Sequence, residues 1–352
     1  MPLIFYILPA IISLGQVQPG ILTFRGCADA SAAVQIDHNL VAVAEDEDNV
    51  LRIYRIDGGM PVASFDMSGF LRVDPKFPEV DIEGAARIGN RIYWISSHGR
   101  NKDGKPRPSR YRFFATQIQD EAGRVQLRPV GRPYRQLLTR ILAARQLKGL
   151  GLAEAAGVDL KTSKDRRLAP KDEGINIEGL SNCPGGQLYI GLRNPIPRHK
   201  ALIIPLLNPD KVIEDGKDPE FGGPILLDLE GLGIRDLCFS AQTNSFYIIA
   251  GPSDETARSV LFRWTGQADD KPIKIMDLQL GIPDWTPEAM VMLEPGKILV
   301  LSDDGSRLVK VNGPQECRKG EYLPEGLCPN KALLDPGRKT FRGVILTIER
   351  NL

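Results

Sequence analysis

The sequence predicts an all-β chain folded as a five-bladed β-propeller, and three observations predict it. Five segments repeat one layout of short strands. In four of them a polar residue near the head of the first strand stands fifteen positions before the end of the second: Ser31 to Asp46, Glu83 to His98, Glu178 to Arg193 and Glu288 to Asp303. In the remaining repeat Arg235 reaches Ala250 or the adjoining Gly251. The runs between are rich in Val, Ile, Leu, Tyr and Phe and are punctuated by Gly, Asn and Asp, the marks of strands and turns. A β-sandwich would account for the strands but not for the common register.

Taken in order, the first repeat runs from Cys27-Ala-Asp-Ala-Ser31 through Leu40–Asp46 to Val50–Ile56. The second runs from Asp81-Ile-Glu83-Gly-Ala through Ile92–His98 to Tyr111–Ile118, with a fourth strand near Gln126. The third runs from Asn176-Ile-Glu178-Gly-Leu through Leu188–Arg193 to Ala201–Pro205 and Ile225–Asp228. The fourth runs from Gly233-Ile-Arg235-Asp-Leu through Phe246–Gly251 to Val260–Trp264 and Ile273–Met276. The fifth holds Thr286-Pro-Glu288-Ala-Met, Ile298–Asp303 and a late third strand at Phe341–Ile348. It lacks a fourth strand of its own, and Ile21-Leu-Thr-Phe24 stands where one is needed. The N-terminal strand is therefore expected to complete the last blade, which leaves no open sheet edge at the join.

One segment breaks the pattern. Leu137, Leu138, Ile141 and Leu142 recur at helical spacing with Arg135, Arg140 and Arg145 among them, so a helical insertion in the second blade is expected over about 133–152. An amphipathic helix of this kind packs on the rim or touches a membrane or partner; packing on the rim is the expectation. Lys161–Glu173 reads as a polar return loop. The organisation expected is a signal peptide over 1–18 and one propeller domain over 21–352.

Composition is that of a water-soluble globular protein, with 42% apolar and 25% charged residues. Lysine and arginine total 45 against 44 aspartates and glutamates, so no bulk field favours nucleic acid. No stretch is long enough to span a bilayer. The apolar run from Pro2 to Leu14 suits the core of a signal peptide, although no basic residue precedes Arg25. A periplasmic or secreted location is expected, the alternative being a cytoplasmic protein with an untethered N-terminus. Of five cysteines, Cys317 and Cys328 flank a polar loop and suit a local disulfide in an exported chain. Cys27, Cys183 and Cys238 lie beside apolar strand residues and read as small buried side chains. No cysteine or histidine spacing suits zinc.

First strands line a propeller channel, and second strands run antiparallel to them. Ser31, Glu83, Glu178, Arg235 and Glu288 are thus expected as a ring at one channel mouth, with Asp46, His98, Arg193 and Asp303 one strand outward. Three converging carboxylates repel one another unless neutralised. Glu83, Glu178 and Glu288 are candidate ligands for a hard cation such as Ca²⁺, which takes six to eight oxygens. His98 is a candidate general acid or base, and Arg193 and Arg235 are candidate substrate-binding cations. The bland alternative is a structural ring closed by ion pairs. No nucleophile elbow, phosphate loop or dinucleotide fingerprint is present in the sequence.

Cys27-Ala-Asp-Ala-Ser-Ala-Ala, Glu47-Asp-Asn-Val-Leu-Arg, Asp81-Ile-Glu-Gly-Ala, Leu168-Ala-Pro-Lys-Asp, Asn176-Ile-Glu-Gly-Leu, Ile234-Arg-Asp-Leu and Pro287-Glu-Ala, in this order, resemble the bacterial domain-of-unknown-function family 3616. The Glu-Gly strand is also similar to that of SdiA-regulated and esterase-like phytase propellers. That resemblance implies a calcium-assisted hydrolase of phosphate or carboxylic esters with its site at the channel mouth. Arg235, standing where a further glutamate would complete the ring, departs from a multi-calcium pattern. The alternative is a non-catalytic, monomeric propeller that binds a small molecule or protein on its channel face.

Overall fold

The repeats resolve into five four-stranded antiparallel sheets arranged as a propeller in a computed structural model that describes residues 20–157, 164–253, 258–294 and 296–348. The proposed signal peptide lies outside the described residues. Blade 1 comprises Ala32–Gln35, Leu40–Ala44, Val50–Arg55 and Ala63–Asp66, and blade 2 comprises Ile82–Ile88, Arg91–Ser96, Phe113–Glu121 and Arg124–Tyr134. Blade 3 comprises Asn176–Asn182, Leu188–Asn194, Ala201–Leu206 and Ile225–Leu227. Blade 4 comprises Gly233–Ser240, Ser245–Gly251, Val260–Trp264 and Ile273–Asp277.

Blade 5 joins the two ends of the described chain. Its order from the rim inward is Ile21–Arg25, Thr340–Thr347, Lys297–Ser302 and Pro287–Glu294. Ile21 pairs with Val344 and Phe24 with Phe341. Phe24 is fully buried, stacked on Phe341 at 4.7 Å between ring centroids and edge-on to Tyr54 of blade 1 at 5.5 Å. Tyr54 in turn donates its hydroxyl to the Arg25 carbonyl at 2.8 Å. The closing strand is therefore held by a ladder on one side and by an aromatic cluster against the next blade.

The core follows from the alternation of each strand. Both faces of the inner three strands are apolar because each sheet is covered by a neighbour on either side. Buried side chains accordingly gather into one cluster per seam between blades. The seam between blades 2 and 3 also takes Leu137 and Ile141 from the helix Leu137–Ala143. The fourth strand of blade 2 runs on to Tyr134, which pairs with Phe113, so the insertion turns helical four residues later than Pro133. Arg140 on the outer face of that helix pairs with Asp218 at 2.9 Å.

Between the second and third strands of blade 5, the chain builds a small hairpin of Leu308–Lys310 with Leu327–Pro329. Cys317 and Cys328 are joined by a disulfide there, and both are buried against Val311, Ala332 and Leu333. Cys27 and Cys183 are buried free thiols, while Cys238 is part-exposed. No helix among the described residues is long and apolar enough to cross a membrane.

Candidate functional site: a buried carboxylate cluster at one end of the channel

A shared backbone irregularity aims the ring. In blade 2 the pairing steps from Ile82 with Ser96 to Gly84 with Ile95, so Glu83 is the extra residue of a β-bulge. The same step falls at Glu178 in blade 3, at Arg235 in blade 4 and at Glu288 in blade 5. A bulge re-aims its side chain and strengthens the local twist, and here it does so at one level of four consecutive inner strands. Blade 1 pairs Ala32 with Ala44 without a bulge, and Ser31 donates its backbone N–H to the Ala44 carbonyl at 3.1 Å. Glycine follows two of the bulges because neighbouring inner strands pass so close. A Cβ on Gly84 would lie 2.9 Å from both Ile95 and Leu180, and one on Gly179 would lie 2.7 Å from Leu237.

All five ring residues are buried. Glu178 accepts from Arg193 at 2.8 Å and from the Asn176 amide at 2.6 Å, both on Oε1, while its Oε2 is buried with no hydrogen-bond partner. Arg193 also donates from Nε to the Pro252 carbonyl at 3.0 Å. Arg235 donates to Glu288 at 2.9 Å. Asp81, two places before Glu83, pairs with Arg110 at 2.8 Å, and Arg110 also reaches Glu79. Glu83 makes no ion pair or hydrogen bond among the described residues.

The carboxylates act on one another strongly. Burial holds Glu83 well above the usual carboxylate range, and Asp81, Glu178, Glu288 and Asp46 push it further. Burial does the same to Asp29, reinforced by Asp303, Asp46, Glu288 and Glu83. Asp46 is raised by burial and by Asp81 and Asp303. Glu288 is pushed up to about 7 by burial, against the pull of Arg235 and with the push of Asp303. Seven carboxylates thus share the end of the channel with three guanidiniums, those of Arg110, Arg193 and Arg235. Lys331 stands at the edge, where it pairs with Glu47 at 2.7 Å.

His98 is placed differently. It is fully buried, packs edge-on to Tyr111 at 5.9 Å between centroids, and its Nδ1 bonds the Ser96 carbonyl at 2.7 Å. Its backbone is left-handed, with φ of 55°. Burial lowers its pKa to about 4, so the imidazole is neutral at pH 7. No hydrogen bond or ion pair among the described residues joins it to a ring carboxylate. Its Nε2 is buried without a partner.

Beyond the ring the channel continues as a cavity of about 280 Å³. It is lined by later residues of the inner strands, among them Leu180, Phe239, Met290 and Met292, with Arg87 and the Cys238 thiol at its wall. Asp236, the residue after Arg235, crosses to blade 5 by accepting the Met290 N–H at 2.7 Å. One end of the channel therefore gathers buried charge, and the other mixes apolar side chains with Gln35, Arg87, Ser181 and Asn182.

Sequence reasoning passed over Asp29, Asp81, Arg110 and Asn176. Three of these carry a readable signal, since each polar residue stands two places before its ring position. Blade 4 has Gly233 at that place because a Cβ there would lie 2.0 Å from the Arg193 carbonyl oxygen. Arg110 had no signal, as it enters from the short 3-10 turn Pro108–Arg110 ahead of the third strand, outside the repeat.

No curated protein matches the sequence. Among solved structures, the chain is similar to glutaminyl cyclase of Myxococcus xanthus at 11% identity and a TM-score of 0.42, over 94% of this chain and 96% of that one. It is similar to a putative glucose dehydrogenase of Thermus thermophilus at 12% identity and a TM-score of 0.40, over 92% and 100%. The PQQ-bound aldose sugar dehydrogenase of Streptomyces coelicolor is similar at 9% identity and a TM-score of 0.41, over 94% and 100%. Likenesses this remote carry no activity to this chain. The family model described as "Protein of unknown function (DUF3616)" matches residues 29–303, more than half of the sequence, and the chain belongs to that family.

Proposed function

We propose that this protein is an exported binding propeller in which a hard divalent cation, calcium by preference, sits among the carboxylates at the charged end of the channel. The observation that carries the reading is the surplus of buried carboxylates over buried cations at that end. Buried charge is strongly unfavourable unless compensated. Protons can supply the compensation at low pH, and a hard cation supplies it at neutral pH with the oxygen ligands it prefers. Glu288 keeps an oxygen outside its ion pair with Arg235, and Glu83 and Glu178 are buried at the same end. The cavity further along the channel, lined by both apolar and polar residues, is the place for a small molecule or a protein segment. The disulfide supports an oxidising compartment.

Burial supports binding over ester hydrolysis. Arg193 and Arg235, offered by the sequence as substrate contacts, are 2% and 7% exposed and committed to Glu178 and Glu288. The hydrolytic reading rests on His98, which is neutral with an unpartnered Nε2. Elemental analysis of the purified chain, paired with thermal melts in calcium and in chelator, tests the cation. A panel of phosphate and carboxylic esters tests the chemistry. Bound calcium without ester turnover supports the reading. A metal-free chain whose Tm ignores both calcium and chelator refutes the cation. Turnover abolished by chelator replaces the binding reading with the hydrolytic one.

A further inference from the structure

We infer that the cation sits off the channel axis, at the seam between blades 5 and 1, with Asp29, Glu288 and Asp303 as its carboxylate ligands, and that it clasps the closing N-terminal segment. The inference rests on the cation reading above and assigns the ligands of that site. One oxygen from each of the three side chains lies within 4.8 Å of the others. Asp29 supplies an independent sign of a missing partner. It is 4% exposed, and its Oδ1 is buried with no hydrogen bond to any residue of the chain.

The other two ligands have oxygens to spare. Glu288 gives Oε1 to Arg235, which leaves Oε2. Asp303 gives Oδ1 to the Gly305 N–H at 2.7 Å, which leaves Oδ2. Asp303 is the one member of the three that is part-exposed, and so provides the route for an ion and its remaining waters. Charge also closes there. Three carboxylates against the single guanidinium of Arg235 leave two negative charges, and a divalent cation cancels them.

Ligand chemistry favours calcium. The set is all oxygen, with no histidine or cysteine, which suits a hard ion. Calcium takes six to eight oxygens at about 2.3–2.6 Å in flexible geometry, whereas magnesium demands a near-ideal octahedron and keeps several waters, so a buried set of protein carboxylates suits calcium better.

The location gives the ion its role. Asp29 lies on the crossing from the closing strand Ile21–Arg25 to the inner strand of blade 1, whereas Glu288 and Asp303 belong to blade 5. That crossing is already tied to blade 5 by the Asp304 N–H donating to the Ala28 carbonyl at 3.1 Å. An ion bridging Asp29 to Glu288 and Asp303 adds a second tie across the same seam.

The test is calcium titration calorimetry on the full chain, wild type against Asp29→Asn, Asp303→Asn and Glu83→Gln, with hydrogen exchange of the amides of residues 21–25. We expect one calcium per wild-type chain, at least tenfold weaker binding in Asp29→Asn and in Asp303→Asn, and affinity within threefold of wild type in Glu83→Gln. Chelator should speed exchange at residues 21–25 in the wild type and not in Asp29→Asn. In chelator Asp29→Asn should melt no lower than wild type, because it removes a buried repelling charge, and this establishes that it folds. Calcium binding lost in Glu83→Gln but kept in Asp29→Asn overturns this assignment and leaves the cation reading standing. A wild type that binds no calcium overturns both.

Discussion

Phe24→Ala tests whether the closing strand belongs to the folded unit. Phe24 is fully buried, stacked on Phe341 and edge-on to Tyr54. Truncating a buried phenylalanine costs about 3–5 kcal/mol, since transfer energy and a residual cavity add. The unfolding entropy is about 2.1 cal/mol/K per residue, so a domain of roughly 330 residues has about 0.7 kcal/mol/K and should lose roughly 4–7 °C in Tm. Calorimetry gives the shift, and Phe114→Ala is the control. Phe114 is equally buried in blade 2, against Trp94, and should cost a similar amount. Hydrogen exchange separates the two, because Phe24→Ala alone should deprotect the ladder from Ile21 to Arg25. A Tm within about one degree of wild type for Phe24→Ala would refute closure by this strand.

Three further outcomes are expected. Glu45 is buried, accepts the Ala28 N–H at 3.0 Å and is pushed up to about 7 by burial and by Asp48. Its folded pKa lies above its unfolded one, so its contribution is full below about 4.5 and is lost as pH rises through 7. Urea denaturation across that window should therefore show Glu45→Gln losing roughly 3 kcal/mol less than wild type, and parallel curves would contradict the assignment. Arg193→Met should cost about 3–5 kcal/mol at neutral pH by leaving Glu178 buried and unpaired, with part recovered in the double variant with Glu178→Gln; a loss under about 1 kcal/mol would mean the pair is not formed. Gly179→Ala should cost about 1–3 kcal/mol by urea unfolding, because its methyl meets Leu237 and Ile234 across the seam, and a neutral result would show that the inner strands have room to part.

The sequence carried the architecture because the repeat is written in strand-length apolar runs with a fixed register. The late third strand of blade 5 and its completion by Ile21–Arg25 follow from counting strands, and the ladder with Thr340–Thr347 is what the count required. The ring positions were legible for the same reason. Which way a side chain turns was not. The fifteen-residue register puts His98 level with Arg193 and Asp303, but its backbone is left-handed and its ring packs on Tyr111. The bulges at Glu83, Glu178, Arg235 and Glu288 left no trace in periodicity, since an extra residue at the same place in four inner strands preserves the spacing among those repeats. Asp29 was legible only in hindsight, as the blade 1 counterpart of Asp81 and Asn176.

The arrangement of charge bears on why the channel is asymmetric. Apolar side chains of similar volume at the ring would stabilise a propeller at least as well as buried ion pairs do. These inner strands accept such residues further along the channel, with Leu180, Phe239 and Met290 standing a few places past the ring. The charged end therefore is not a requirement of the fold. Two of its carboxylates are matched by Arg193 and Arg235, and those pairs alone would make a self-sufficient plug. Asp29, Asp46, Glu83 and Asp303 go beyond that, and without a counter-charge each added carboxylate raises the free energy of the closed ring. A cation at the seam reverses the sign of that contribution. Closure of the ring, and with it the shape of the cavity along the same inner strands, is then coupled to the ion, so a ligand that needs the closed channel and the ion that closes it should strengthen each other's binding.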